Sequence, residues 1–200
     1  VNFPPLTAKY LYEKFTKHIK DQDRIVVYDP SSGWGGRILG AMSTRLSTPL
    51  HYVGTDPNTD HSIADDSTKY ADLANFYNAS KNSGVLFQSA NTFDIYQLGS
   101  EVIGSDERFY AYKGKLDMIF TSPPYFAKEA YSEDPEQSYK KFSQYDAWRE
   151  GFLRKTLETC VEYLNNDRYL LWNIADAVFG GEMLPLEQDS IDILTSKGMI

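Results

Sequence analysis

The sequence has little cysteine and no long apolar run. Cys160 is the single cysteine among 200 residues, so an internal disulfide is excluded and a cytoplasmic location is expected. No run of about 18 apolar residues occurs, which argues against a membrane span. The amino-terminal segment lacks the basic and then apolar pattern of a signal peptide. The three histidines have no metal-ligand spacing with Cys160, so no metal site is predicted.

Positive charge is also scarce. The chain has 20 Lys and Arg against 28 Asp and Glu, which gives a formal net charge of −8. Because neutralisation of phosphates by Lys and Arg dominates affinity for nucleic acids, this charge argues against strong nucleic-acid binding by this segment alone. A function on nucleic acid has to account for it, for example through a missing domain or a partner that supplies target recognition.

Buried strands alternate with amphipathic helices along the chain. Strands are predicted at residues 25–28, 50–54, 85–87, 116–120 and 169–172. Helices are predicted at about residues 6–20, 37–43, 70–77, 148–164 and 186–195. This alternation predicts one α/β domain over residues 1–200, with a mostly parallel, doubly wound sheet. The sequence stops where a further strand is expected, so we expect a fragment, or a sheet completed by something else.

A glycine-rich turn follows the first predicted strand. Residues 29–37 read Asp-Pro-Ser-Ser-Gly-Trp-Gly-Gly-Arg and open a predicted helix. Glycine permits positive φ and close approach of a ligand, and amides at a helix start favour a negative group. A nucleotide-like cofactor is therefore expected, although the pattern is neither G-x-G-x-x-G nor a Walker loop. The alternative is a tight turn that needs glycine for packing.

Asp56 ends the second predicted strand. A carboxylate at this position can accept hydrogen bonds from both hydroxyls of a ribose, as in dinucleotide-binding folds. Its separation from the glycine-rich turn is close to the ~20 residues expected for such a carboxylate. The alternative is an Asx turn before Pro57.

The fourth predicted strand ends abruptly in Ser122, Pro123, Pro124 and Tyr125. Proline cannot donate a ladder hydrogen bond, and it holds the preceding residue extended. The result is a stiff strip that presents carbonyl oxygens, one hydroxyl and an aromatic ring where open α/β sheets bind ligands. Such a strip suits a planar group that carries an amine. The alternative is a rigid turn with a packed tyrosine.

Taken together, these segments resemble the S-adenosylmethionine-dependent amino-methyltransferases that act on DNA. The hallmark of that family is [Asp/Asn/Ser]-Pro-Pro-[Tyr/Phe/Trp] after the fourth strand, here residues 122–125. The resemblance covers most of the chain and implies a Rossmann-like class I methyltransferase fold with S-adenosylmethionine as cofactor. The resemblance assigns Asn2, Phe3, Pro4, Asp29, Ser31, Gly33, Trp34 and Gly35 to the cofactor, in addition to Asp56. Trp34 either covers the cofactor or packs on the N-terminal helix.

The resemblance also implies a mechanism. The Ser122 hydroxyl and the Pro123 carbonyl accept hydrogen bonds from the exocyclic amine of a base that is flipped out of the duplex, and Tyr125 stacks on that base. Serine at the first position favours cytosine N4 as the acceptor, and adenine N6 stays open. Other open alternatives are methylation of RNA or of a protein amide, and a cofactor-binding module without catalysis.

The chain departs from the family pattern after the third predicted strand. An acidic residue is usual there, whereas this sequence offers Ser89, Asn91 or Asp94, and Asn91 is the candidate for contact with the cofactor. No segment resembles a target-recognition domain. Asn173 and Asp176 follow the fifth predicted strand, where they either shape the pocket or cap a helix.

Overall fold

A five-stranded parallel sheet forms the centre of the molecule. The computed structural model describes residues 3–58, 68–82, 91–127 and 135–199. The strands run β3-β2-β1-β4-β5 across the sheet, and each neighbouring pair is parallel. The predicted parallel α/β architecture is confirmed, and it is compatible with a Rossmann-like fold. The strands are β1 Ile25–Asp29, β2 Leu50–Thr55, β3 Thr92–Tyr96, β4 Leu116–Thr121 and β5 Leu164–Trp172.

Helices cover both faces of this sheet. A π-helical turn at Arg149–Arg154 joins α5 to α6, and two short 3₁₀ turns at Ile103–Ser105 and Phe109–Tyr112 lie between β3 and β4. A small antiparallel hairpin of β6 Ala177–Phe179 and β7 Glu182–Leu184 follows the sheet. The helices are α1 Pro5–Thr16, α2 Gly36–Met42, α3 Lys69–Asn82, α4 Ser138–Lys141, α5 Tyr145–Trp148, α6 Lys155–Tyr163 and α7 Leu186–Ser196.

The two faces of β1 belong to different hydrophobic clusters because strand side chains alternate. Val27 packs with α1, α2 and α3, whereas Tyr28 packs with the 3₁₀ turns and α6. All five residues of β1 are buried, as expected for the central strand of a parallel sheet. A glycine sets how closely α1 approaches α2, since a Cβ at Gly40 would lie 2.6 Å from the Ala8 Cβ.

Several predictions of element position need correction. The strand predicted at residues 85–87 lies outside the described residues, and the third strand of the sheet is β3. Leu164 begins β5 instead of ending a helix, because its backbone is already extended at the end of α6.

The hairpin of β6 and β7 was not predicted from the sequence. Gly180 and Gly181 both have positive φ and connect its strands directly. Two glycines between short apolar segments are a recognised hairpin signal. In the part of the chain that the structure describes, no helix is long and apolar enough to cross a bilayer.

Candidate functional site

A cavity of about 540 Å³ opens at the carboxyl edge of the sheet. The strand order reverses at β1, with β2 and β3 on one side and β4 and β5 on the other. Ligands of open α/β sheets bind at such a switch point. The cavity brings together most of the residues predicted for the site. Those that line it are Phe3, Pro4, Ser31, Gly33, Trp34, Asp56, Ser122, Pro124 and Tyr125, whereas Gly35 and Pro123, which were also predicted for the site, do not line it.

Asp29 lies beneath the glycine-rich turn and does not line the cavity. It is fully buried, and both of its carboxylate oxygens have protein partners. Oδ2 accepts from Arg37 Nε at 2.8 Å and from the Tyr52 hydroxyl at 2.7 Å. Oδ1 accepts from the Thr121 hydroxyl at 2.8 Å and from the Ser31 amide at 3.3 Å. Asp29 therefore joins the glycine-rich turn to the last residue of β4.

Arg37 is the partner that balances this buried carboxylate. It is 4% exposed, and its Nη2 also donates to the Ser31 carbonyl. Burial works to lower the pKa of the guanidinium, but the neighbouring Asp29 more than offsets this, so the pKa of Arg37 is raised. Arg37 lines the cavity, but its positive charge is already paired with Asp29.

The amides of the glycine-rich turn donate to the protein itself. The Ser32 amide donates to the Thr55 carbonyl at 3.0 Å, and the Gly33 amide donates to Asp56 Oδ2 at 2.9 Å. The Gly35 amide donates to the Ser32 carbonyl at 3.3 Å. This corrects the expectation that these amides point outward to a negative group, and the turn is not a phosphate cradle at these positions.

Asp56 forms the Asx turn that the sequence left open as an alternative, and it also lies at the cavity. Its Oδ1 accepts from the Asn58 amide at 3.0 Å, which is an Asx turn, and the residue also lines the cavity. Burial raises the pKa of Asp56, although its two backbone hydrogen bonds act in the opposite direction. The Tyr70 hydroxyl donates to the Gly33 carbonyl nearby, so α3 holds this side of the turn.

The tetrapeptide after β4 is anchored at its far end by Phe126. This residue has φ of 53°, in the left-handed region that bulky side chains rarely adopt. Its ring is buried, and it packs against the rings of Tyr145, Trp148 and Phe179. A sparsely populated backbone conformation persists only where the surroundings enforce it, as this aromatic cluster does.

Asn91 is not brought to the cavity. Its Oδ1 accepts from the Leu50 amide at 2.9 Å, and its Nδ2 donates to the Thr44 carbonyl at 3.2 Å. It precedes β3 and so lies at the amino edge of the sheet, opposite the cavity. The prediction depended on a third strand that ended before Asn91, and β3 begins after it. Asn2 and Ser89 lie outside the described residues, and Asp94 is within β3, where it accepts from the Tyr112 hydroxyl.

The segment after β3 contributes a residue that sequence reasoning missed. Glu101 lines the cavity, is 8% exposed, and accepts from Lys141 Nζ at 2.8 Å. Lys141 also donates to Glu136 at 2.9 Å, which ties α4 to the cavity wall. Glu101 follows β3, and no strand was predicted at residues 92–96, so no predicted strand end led to Glu101.

The electrostatics of the lining select the charge of a ligand. Its ionisable side chains include the carboxylates of Asp56, Glu101 and Glu136, and the single charge of Lys141 is shared between the last two, so the carboxylates remain in excess. Arg37 is the one Lys or Arg among the described lining residues, and Asp29 already neutralises it. Such a cavity favours a ligand with positive charge over one with phosphates.

No protein-family model matches this chain, and no curated protein matches it. The resemblance to amino-methyltransferases therefore depends on the motifs, and the site depends on the geometry above. Among the residues that the structure describes, no group of three or more potential metal ligands comes together.

Proposed function

We propose that this protein transfers a methyl group from S-adenosylmethionine to an exocyclic amine of a base in DNA, with cytosine N4 favoured over adenine N6. One observation carries the proposal. A single cavity at the switch point is lined both by the glycine-rich turn with Asp56 and by Ser122, Pro124 and Tyr125. Groups suited to a nucleoside and groups suited to an amine thus face the same space.

The cavity fits a positively charged nucleoside such as S-adenosylmethionine, which supplies an electrophilic methyl group when bound. In this proposal Asp56 accepts from ribose hydroxyls, and Glu101, while paired with Lys141, accepts from a donor on the nucleoside through its remaining acceptor capacity. The engaged amides of the turn and the paired charge of Arg37 disfavour a dinucleotide or a nucleoside triphosphate. Phe3, Pro4 and Trp34 supply apolar surface at the same cavity.

The tetrapeptide supplies the groups that an amine acceptor needs. The lone pair of an exocyclic amine is delocalised into the ring, so the amine is a poor nucleophile. Hydrogen bonds accepted by the Ser122 hydroxyl and the Pro123 carbonyl favour tetrahedral nitrogen and free that lone pair. The Tyr125 ring stacks on the base. Because these dipoles are held in place before the reaction, they stabilise charge as it develops on the amine.

The choice of DNA comes from the motif. Serine at the first position of the tetrapeptide favours cytosine N4, and RNA or protein amides are the competing acceptors. The net charge of −8 requires that affinity for DNA come from a further segment or a partner, or that binding be weak at physiological salt.

Transfer of label from methyl-labelled S-adenosylmethionine tests the proposal. The full-length protein is incubated separately with duplex DNA, RNA and protein, and labelled nucleosides are identified after digestion. We expect N4-methylcytosine in DNA, formed much more slowly but still measurably by Ser122→Ala and at the wild-type rate by Ser105→Ala, which changes an exposed serine that does not line the cavity. Label in RNA or protein alone would refute the acceptor. Binding of S-adenosylhomocysteine without any transfer would identify a cofactor-binding module instead.

A further inference from the structure

Asn173 leaves the sheet beside the tetrapeptide. β4 and β5 pair in parallel with Thr121 opposite Trp172, so the next residues, Ser122 and Asn173, are neighbours. The backbone N–H of Asn173 donates to the Thr121 carbonyl at 3.0 Å. This bond extends the ladder by one residue and fixes the Asn173 backbone at the cavity, which Asn173 lines.

Two more hydrogen bonds connect Asn173 to both ends of the tetrapeptide. Its Nδ2 donates to Ser122 Oγ at 3.3 Å, and its carbonyl accepts from the Tyr125 hydroxyl at 3.3 Å. Pro123 and Pro124 have no N–H, so the middle of the strip cannot donate to a neighbouring strand. Asn173 therefore contacts the two side chains that grip the acceptor in the proposed reaction.

We infer that Asn173 is a positioning residue for methyl transfer, which sets the direction of the Ser122 hydroxyl and the tilt of the Tyr125 ring. This inference rests on the proposed function. A hydroxyl oxygen has two acceptor sites, and the side-chain Nδ2–H of Asn173 occupies one of them on Ser122 Oγ. The other stays available to the amine of the acceptor base.

The expected effect is on the chemical step. A displacement of a contact group by about 1 Å can cost on the order of 100-fold in rate. Asn173 is exposed, and Asn173→Ala keeps both backbone hydrogen bonds, so the fold and the Tyr125 contact should persist. The variant therefore isolates the bond from Nδ2 to Ser122 Oγ.

A double-mutant cycle on the full-length protein tests this. The kinetic constants kcat and KM are measured with labelled S-adenosylmethionine and duplex DNA for wild type, Asn173→Ala, Ser122→Ala and the double variant. We expect Asn173→Ala to lower kcat by about 10- to 100-fold. We expect the double variant to be within about twofold of Ser122→Ala, because Asn173 acts through Ser122.

Three further measurements complete the test. Asn173→Asp, which can accept from the Ser122 hydroxyl, should recover part of kcat. Asn166→Ala, an exposed residue on β5 away from the cavity, should match wild type. Affinity for S-adenosylhomocysteine, measured by calorimetry, should be unchanged in Asn173→Ala.

The inference is overturned by additive losses in the cycle, by a wild-type kcat in Asn173→Ala, or by loss of S-adenosylhomocysteine affinity together with kcat. The last outcome would mean that Asn173 only supports the local fold. A wild-type protein that methylates no acceptor refutes the proposed function itself, and the inference with it.

Discussion

Replacing Asp29 by asparagine should destabilise the protein strongly. Asp29→Asn removes the charge that balances Arg37, and both residues are buried. Both carboxylate oxygens accept hydrogen bonds in the native structure, Oδ2 from Arg37 and Tyr52 and Oδ1 from Thr121 and Ser31. Whichever oxygen the asparagine NH₂ group replaces, it therefore faces other donors. Breaking a buried ion pair by removing one partner costs about 3–5 kcal/mol. For a chain of this size each kcal/mol shifts Tm by about 2–4 °C, so we expect Tm to fall by about 6–20 °C.

Thermal and urea unfolding followed by circular dichroism measure this change. Asp106→Asn is the matched control, because Asp106 pairs with the exposed Arg108 and should unfold like wild type. The double variant Asp29→Asn with Arg37→Met removes both charges and should regain part of the lost stability. If Asp29→Asn unfolds within about 1 kcal/mol of wild type, the buried ion pair does not hold the glycine-rich turn in the way its contacts suggest.

Three other changes have definite expected outcomes. Asp56→Ala should weaken S-adenosylhomocysteine binding about tenfold or more in calorimetry. Because burial raises the pKa of Asp56, its carboxylate takes up a proton at a higher pH than an ordinary carboxylate does. As the pH is lowered, the affinity of the wild type should therefore begin to fall at a pH above the usual range of carboxylate pKa values. Gly35→Ala should cost more unfolding free energy than Gly114→Ala in urea titrations, because both have positive φ but only Gly35 has a neighbour 2.9 Å from the new Cβ. Burial lowers the pKa of His51 despite Asp94, with Arg24 acting in the same direction as burial. Unfolding free energy should therefore fall as pH drops below about 6.5, and His51→Gln should reduce that slope.

Periodicity and turn chemistry predicted most of the sheet. The strands at β1, β2, β4 and β5 are short or bounded apolar segments with clear ends, and the prolines at 123 and 124 mark where β4 stops. β3 was missed because the prediction placed the third strand at the apolar residues 85–87, although Phe93 and Ile95 alternate with Thr92 and Asp94 in the pattern of a half-buried strand. Because the predicted third strand ended before Asn91, Asn91 was expected at the carboxyl edge of the sheet. In the structure Asn91 precedes β3, and Glu101, which follows β3, lines the cavity instead.

Local sequence also could not predict which predicted site residues face the cavity. Asp29 and Asp56 each end a strand before a turn, and their sequence contexts are alike. Tertiary contacts distinguish them, since Tyr52 from β2 and Thr121 from β4 enclose Asp29, whereas Asp56 accepts from the amides of Gly33 and Asn58 and lines the cavity. Contacts between distant strands are not encoded in the spacing of either motif.

The bond between Thr121 and Asp29 has a consequence for how the two motifs depend on each other. Thr121 immediately precedes Ser122, and Asp29 begins the glycine-rich turn, so one buried carboxylate fixes the start of both segments. Asn173 holds the tetrapeptide from the other side. A change at Asp29 should therefore disturb the amine-binding strip as well as the turn, whereas a change at Asn173 should affect the strip alone. Separate measurement of cofactor affinity and methyl transfer in Asp29→Asn and Asn173→Ala distinguishes these two kinds of support.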